Sequence, residues 1–145
     1  MIADPICDLL AADAAITALL AKHDFGAGDV PAIFDFEPAP ESCGQPVITV
    51  TEDGGPGTEG ARDTRGFRMR AIISIWGNKD HSRAKLRDLA LHCVRAVDRQ
   101  SLTLRSPYCE IGCWCDMGRE LTDGDGFPGI QITVRIVVLE GSGAL

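Results

Sequence analysis

The sequence lacks any long hydrophobic run. No apolar stretch among its 145 residues approaches the roughly 20 residues that a helix needs to cross a bilayer, which argues against contact with a membrane. No lysine or arginine precedes Lys22, and Asp4, Asp8 and Asp13 interrupt the apolar residues near the start. Because a secretory signal needs an early positive region and an unbroken apolar stretch, we expect a chain that is made and folded in the cytosol.

Positive charge is also scarce. The chain has 14 lysines and arginines against 21 aspartates and glutamates, and its formal net charge is −7. This balance argues against a broad basic face that wraps free nucleic acid, although an acidic protein can stand beside DNA and let it slide past. The hydrophobic share of 45% and the charged share of 24% are ordinary, so the length predicts a single globular domain over residues 1–145.

Motifs for catalysis and cofactor binding are missing. There is no G-x-S-x-G nucleophile elbow, and the adjacent His92 and Cys93 point in different directions on a helix. The glycines of segment 54–60 lack the G-x4-G-K-[ST] pattern and lead into a strand rather than a helix. The DGDG sequence at 123–126 is not followed by the ligand series of a calcium loop. We therefore expect no enzyme, no catalytic residue and no cofactor.

Six cysteines leave two readings open. Cys109, Cys113 and Cys115 form C-x3-C-x-C, which is not the C-x2-C knuckle of a structural zinc site. On a strand, all three share a face with Ile111, where a cysteine behaves as a small buried hydrophobe. We expect free thiols and no metal site, with a cysteine-rich metal-binding module as the alternative.

Hydrophobic periodicity predicts an α+β fold in the order α-β-β-β-α-β-β, with both helices packed on a mainly antiparallel sheet of four to five strands. The first helix begins at Asp4-Pro5 and runs to about Lys22, and the second is capped by Asp80 or Ser82. The strands are expected at 30–36, 47–51, 67–76, 108–117 and 130–139.

Strand 67–76 has one apolar face and one mixed face, and the mixed face indicates partial cover by a helix or by another subunit. Segment 37–46 is a proline-rich loop, and segment 52–66 (EDGGPGTEGARDTRG) is predicted to be a long, mobile hairpin loop. The glycine-rich residues 140–145 are predicted to form a loose tail.

Charged residues gather where segment 52–66 enters the next strand. This cluster is either a solvated charged face or a contact between subunits, because arginine pairs bidentately with carboxylates at interfaces. We predict a subunit interface that pairs arginines with acids of a neighbour; its residues are Glu52, Asp53, Glu59, Arg62, Asp63, Arg65, Arg68 and Arg70.

Four segments together resemble a known family. These are DPICDLLAADAAITALLA at 4–21, GQPVITVTEDGG at 44–55, FRMRAIISIWGNKDHSRAKLRDLALHCVRAVD at 67–98 and GFPGIQITVRIVVLE at 126–140. Their order and turn placement are similar to the tail terminator-like proteins, also called tail completion or neck proteins, of long-tailed bacteriophages and related prophages and gene transfer particles. The sequence departs from that pattern in its cysteine content and in the length of loop 37–46.

The resemblance implies a structural protein of the virion, made in the host bacterial cytoplasm. Six copies are expected to form a ring at the head-proximal end of the tail, which stops polymerisation of the tail tube and meets the head-completion complex. The implied partners are other copies of the chain, the major tail tube protein and the connector. The charged cluster of segment 52–70 is then expected to be a subunit or tail-tube interface, and DNA passes through the channel without specific binding. A head-completion or stopper protein of the neck is the alternative of similar size and chemistry.

Overall fold

The computed structural model of the chain describes residues 2–53, 57–61, 64–78, 81–105, 108–116 and 118–140, with the backbone alone at 57–61, 64–67, 108, 109 and 111. Within these ranges, the helices are α1 (Ala3–Ala12), α2 (Ala14–Leu19) and α3 (Arg83–Val97). The strands are β1 (Lys22–Asp24), β2 (Asp29–Pro31), β3 (Ile33–Phe34), β4 (Val47–Glu52), β5 (Gly57–Ala61), β6 (Thr64–Trp76), β7 (Tyr108–Cys115), β8 (Arg119–Thr122) and β9 (Pro128–Glu140).

Seven strands form one sheet along the path β3-β4-β6-β9-β7, with β5 beside β6 and β8 beside β9. The two long strands β6 and β9 lie at its centre and pair from Arg65↔Glu140 to Trp76↔Gly129. All pairs are antiparallel except β3–β4, which is parallel. Strands β1 and β2 form a separate hairpin. The α+β class is confirmed, but the prediction of one sheet of four to five strands with two helices was wrong in its details.

The first predicted helix is two helices, because Asp13 interrupts it. Asp13 is extended, and its carboxylate accepts hydrogen bonds from the N–H groups of Ala15 at 2.9 Å and Ile16 at 3.1 Å. Aspartate favours this N-cap arrangement over a helix interior, where its side chain competes for backbone groups. Helix α2 therefore starts afresh, and it ends at Leu19 rather than near Lys22.

The strand predictions also need corrections. Predicted strand 30–36 is divided between β2 and β3, and β8 lies where no strand was expected. Strand β5 occupies part of the predicted loop 52–66 and pairs with β6 from Gly57↔Arg68 to Ala61↔Thr64, so a hairpin is present with a shorter connection than expected. Residues 54–56 and 62–63 lie outside the described residues, as does the predicted tail beyond Glu140.

The helices and the core lie on one face of the sheet, called here the inner face. Alternate residues of the central strands, such as Ile73 and Ile132, are fully buried there against the apolar stripe of α3. Ser82 caps α3, as expected, by accepting a hydrogen bond from the N–H of Lys85. No helix in the described ranges is long and apolar enough to cross a membrane.

Among the described residues, the opposite, outer face is covered at one end only. Loop 37–46 lies over that end, where Trp76 Nε1 donates a hydrogen bond of 3.0 Å to Glu37 and Phe34, Cys43 and Val47 form a second buried cluster. The expected partial cover of the mixed face of β6 therefore comes from a loop of the same chain. At the other end of the same face, the side chains of Arg68 and Arg70 are exposed.

Candidate assembly surfaces

Glu52 of the predicted interface points to the inner face, since it pairs with the buried Ala71. Its carboxylate accepts hydrogen bonds from the N–H groups of Ile2 at 2.6 Å and Ala3 at 3.3 Å, at the start of α1. Burial alone would raise the pKa of the Glu52 carboxyl. The hydrogen bonds that its carboxylate accepts from the start of the chain together outweigh burial and hold the pKa below its ordinary value. Glu52 therefore anchors α1 to β4 within the subunit.

Asp53 and Arg70 lie on the outer face and form an ion pair with each other, and the Asp53 N–H donates to the Arg70 carbonyl at 2.9 Å. Both side chains are part-exposed. Arg68 is exposed on the same face. The structure thus brings Asp53, Arg68 and Arg70 together on one face and gives Arg70 an acid of its own chain, whereas the sequence analysis expected the acids of a neighbour.

Two other predicted interface residues, Glu59 and Arg65, lie on β5 and β6. Glu59 pairs with Gly66 and Arg65 with Gly60 in the backbone register, and Arg65 also lies opposite Glu140 of β9. Arg62 and Asp63 lie outside the described residues.

A groove of about 590 Å³ runs over the uncovered end of the outer face. We call it the outer-face groove; its lining includes Asp53, Arg68, Arg70, Arg135 and Trp114. Arg70 and Arg135 are directly opposed between β6 and β9, a like-charge pairing that is unfavourable unless acids compensate it. Each has one such acid, because Arg70 binds Asp53 and Arg135 lies 3.0 Å from Asp116.

A β-bulge sets the position of Trp114 in this groove. The register of β7 shifts between Glu110 and Gly112, so Cys113 pairs with Ile136 and Trp114 with Arg135. Trp114 is 47% exposed, and its ring lies over Gly112, where a Cβ atom would come within 2.2 Å of it. The sequence did not reveal Trp114 and Arg135 as residues of this groove. Which residues of β6, β7 and β9 lie side by side depends on the strand register, and local sequence patterns do not specify it.

A second groove, of about 440 Å³, lies at the β3 edge of the sheet. We call it the acidic edge groove. It is formed by α1, by the residue that follows β1 and by the segment around β3; its lining is Asp4, Cys7, Asp8, Phe25, Ile33, Phe34, Asp35 and Phe36. Phe25 and Phe36 are 50% and 49% exposed and pack against buried Phe34 with ring centroids 5.0 and 5.3 Å apart.

The acidic edge groove has a negative electrostatic character, and this shows in the raised pKa of the Cys7 thiol. Burial and, after it, the carboxylates of Asp35, Asp4 and Asp8 together raise the pKa of Cys7 to about 12. Sequence reasoning missed this groove. Its signal was the clustering of three of the five phenylalanines, Phe25, Phe34 and Phe36, between acidic residues.

The predicted cysteine face of β7 lies partly outside the described residues, which do not include the side chain of Cys109. In the backbone register Cys109 pairs with Leu139 and Cys113 with Ile136, so an advance of four residues along β7 matches an advance of three along β9 across the bulge. Cys113 and Cys115 follow the inner-face register, and burial raises their pKa values to about 11 and about 12. In the part of the chain described, Cys7, Cys43, Cys93, Cys113 and Cys115 are free, and no group of three or more metal-ligating side chains is close enough to hold an ion.

A family-wide sequence model described as tail completion protein gp17 matches residues 4–139 of the chain. The chain belongs to this family. The fold agrees with that of a chain in the solved structure of the virion of a native gene transfer agent (GTA) particle, with a TM-score of 0.72 and 19% sequence identity over 94% of this chain and 93% of that one. No curated protein matches the sequence significantly.

Membership in the tail completion family confirms the expected resemblance and identifies the chain as a structural component of a phage-type tail in the virion. The family is one of structural virion proteins rather than of enzymes. The two grooves are therefore surfaces to be explained by assembly with other virion proteins.

Proposed function

We propose that the chain is a tail terminator. Six copies close into a ring on the head-proximal end of the tail tube, stop its polymerisation and join it to the head-completion complex. The observation that carries this proposal is the match of the tail completion family to residues 4–139, nearly the whole domain. DNA passes through the channel of this ring without sequence-specific contacts, which agrees with a net charge of −7.

The surface chemistry supports a closed ring. Rings are built from heterologous contacts, in which one surface of a subunit meets a different surface of the next and the rotation closes. The chain has two different grooves that could meet in such a contact, one rich in arginine and one rich in aspartate. The major tail tube protein and the connector then occupy the two open sides of the ring.

The test combines the purified chain with the major tail tube protein of the same particle. We expect mass photometry to detect a species of six copies, and electron microscopy to show that adding the chain limits the length of growing tubes. A chain that stays monomeric even beside the tube protein contradicts the proposal. If the chain binds the connector and leaves tube growth unchanged, the stopper role replaces the terminator role.

A further inference from the structure

We propose that the outer-face groove of one copy docks against the acidic edge groove of the next copy, and that this contact is the seam of the ring. The inference rests on the proposed ring and adds the two surfaces that build it. Arg68, Arg70 and Arg135 supply the positive side. Asp4, Asp8 and Asp35 supply the negative side.

Charge complementarity is the first support. The outer-face groove is lined by three arginines and one aspartate, in a chain whose net charge is −7. The acidic edge groove is lined by three aspartates and no lysine or arginine. Arg70 and Arg135 oppose each other, and each has one part-exposed acid as a partner. Because an exposed ion pair contributes little, the acids of a neighbour would compensate the two arginines more fully.

Exposed aromatic side chains are the second support. Six large hydrophobic residues are exposed in the described part of the chain, and three of them, Phe25, Phe36 and Trp114, line the two grooves. Aromatic residues and arginine are the types enriched at the centres of protein interfaces, where they exclude water around charged pairs. The two grooves therefore offer the mixture of apolar anchors and charges that a specific contact needs.

The topology places the grooves so that they cannot satisfy each other within one subunit. The acidic edge groove lies at β3, one end of the path β3-β4-β6-β9-β7. Trp114 lies on β7 at the other end, and Arg68 and Arg135 lie on the outer face of the central strands. Two complementary surfaces displaced across one sheet give a head-to-tail contact, which is the contact type that closes rings.

The test reverses each surface separately. One variant carries Arg68→Glu with Arg135→Glu, and the other carries Asp8→Lys with Asp35→Lys; all four side chains are exposed. Like-charge contacts across an interface are strongly unfavourable, so each variant alone should form at least about tenfold less ring than the wild type. In an equimolar mixture, both seams of an alternating ring become complementary again, and the six-copy species should return.

The matched control is Lys85→Glu with Arg95→Glu, which changes the net charge by the same amount on the exposed side of α3. This control should form the ring as the wild type does. Circular dichroism and thermal melting check that every variant is folded. If a reversed variant melts early, the neutral pair Arg68→Gln and Asp8→Asn replaces it, and each substitution should weaken the ring and reduce its dependence on salt.

The outcomes separate the two proposals. A wild-type chain that never forms a ring overturns the proposed function and the seam together. A wild-type ring that persists in both reversed variants overturns the seam alone. Folded variants that fail singly and also fail in the mixture contradict the pairing of these two surfaces with each other.

Discussion

Gly112 leaves room for its neighbour Trp114, whose ring fills the space above the strand. The ring atoms nearest to a Cβ at position 112 are 2.2, 2.6 and 2.8 Å away, which is closer than real contacts allow. These atoms are the far end of a side chain that is 47% exposed, so the ring can move aside without disturbing the core. A single residue thus fixes an aromatic anchor of the outer-face groove.

We predict that Gly112→Ala displaces Trp114 with little loss of stability. The free energy of unfolding should fall by less than about 1 kcal/mol, below the usual cost of overpacking a core, because the clash lies at the surface. The wavelength of tryptophan fluorescence should shift, and assembly of the six-copy ring should weaken. Gly124→Ala is the control, because a Cβ there meets nothing within 4 Å. Unchanged fluorescence in Gly112→Ala would contradict the placement of the Trp114 side chain over Gly112.

Buried cysteines make stability sensitive to alkaline pH. Burial raises the pKa of Cys93 to about 12 from its ordinary 9.0, with a further contribution from Asp13. Above the ordinary value the unfolded chain releases the thiol proton and the folded chain keeps it. The stabilisation is therefore complete below about pH 9 and is lost as the pH rises towards about 12.

We predict that unfolding free energies of the wild type fall between about pH 9 and about 12 by up to about 1.4 kcal/mol per pH unit for Cys93. Urea titrations across this range measure the slope. Cys93→Ala should be less stable at neutral pH, since it leaves a cavity, but its slope should be shallower. Equal slopes for the two proteins would show that Cys93 is not protected in the folded state.

At the scale of single elements, α1 is held by a residue of another element. Glu52 ends β4, and its carboxylate binds the first N–H groups of the helix at Ile2 and Ala3. Those N–H groups have no partner inside a helix, and a carboxylate at the N-terminus also interacts well with the helix dipole. The end of β4 therefore anchors α1 through Glu52, and the next residue, Asp53, lines the outer-face groove.

We predict that Glu52→Ala destabilises the protein by about 1 kcal/mol, the usual cost of losing a helix cap, and that hydrogen exchange at the start of α1 becomes faster. Because the pKa of Glu52 is lowered in the folded state, the difference from wild type should be complete above its ordinary pKa of 4.5 and vanish as the pH falls through the lower folded value. Glu41→Ala, at an exposed carboxylate of loop 37–46, is the control. A loss of stability equal in both variants would contradict the cap.

At the scale of the whole molecule, the proposed ring has to bring acidic copies of the chain together. At a net charge of −7 the subunits repel one another at long range, so association needs local patches of opposite sign. The two grooves concentrate arginine and aspartate separately. Such contacts act within about one Debye length, about 10 Å at 0.1 M salt.

We predict that raising the salt concentration from about 0.05 M to about 0.5 M shifts the ring towards monomers, because screening weakens the paired charges of the seam. Mass photometry at fixed protein concentration measures the shift. The variant Lys85→Glu with Arg95→Glu should show the same salt response as the wild type. A ring that strengthens with salt would point to an apolar seam instead.

The sequence by itself determined the α+β class, α3 with a cap at Asp80 or Ser82, the two strands that became β6 and β9, and the family. Each of these depends on the local spacing of hydrophobic residues or on one capping side chain, and both can be recognised from the sequence alone. The sequence also shows Asp13, but it does not show whether this residue lies inside a helix or caps a new one. In the structure Asp13 caps α2, and Ile16 of α2 packs into the core.

Only the tertiary structure decided the assembly surfaces. The clustering of Asp53, Arg68 and Arg70 was predictable because they flank one hairpin in sequence. The addition of Arg135 and Trp114 required the β6–β9–β7 register and a bulge, and the assignment of Glu52 to α1 required the packing of a helix on the inner face. Contacts between residues far apart in the chain follow from strand pairing and helix packing, which local periodicity does not specify.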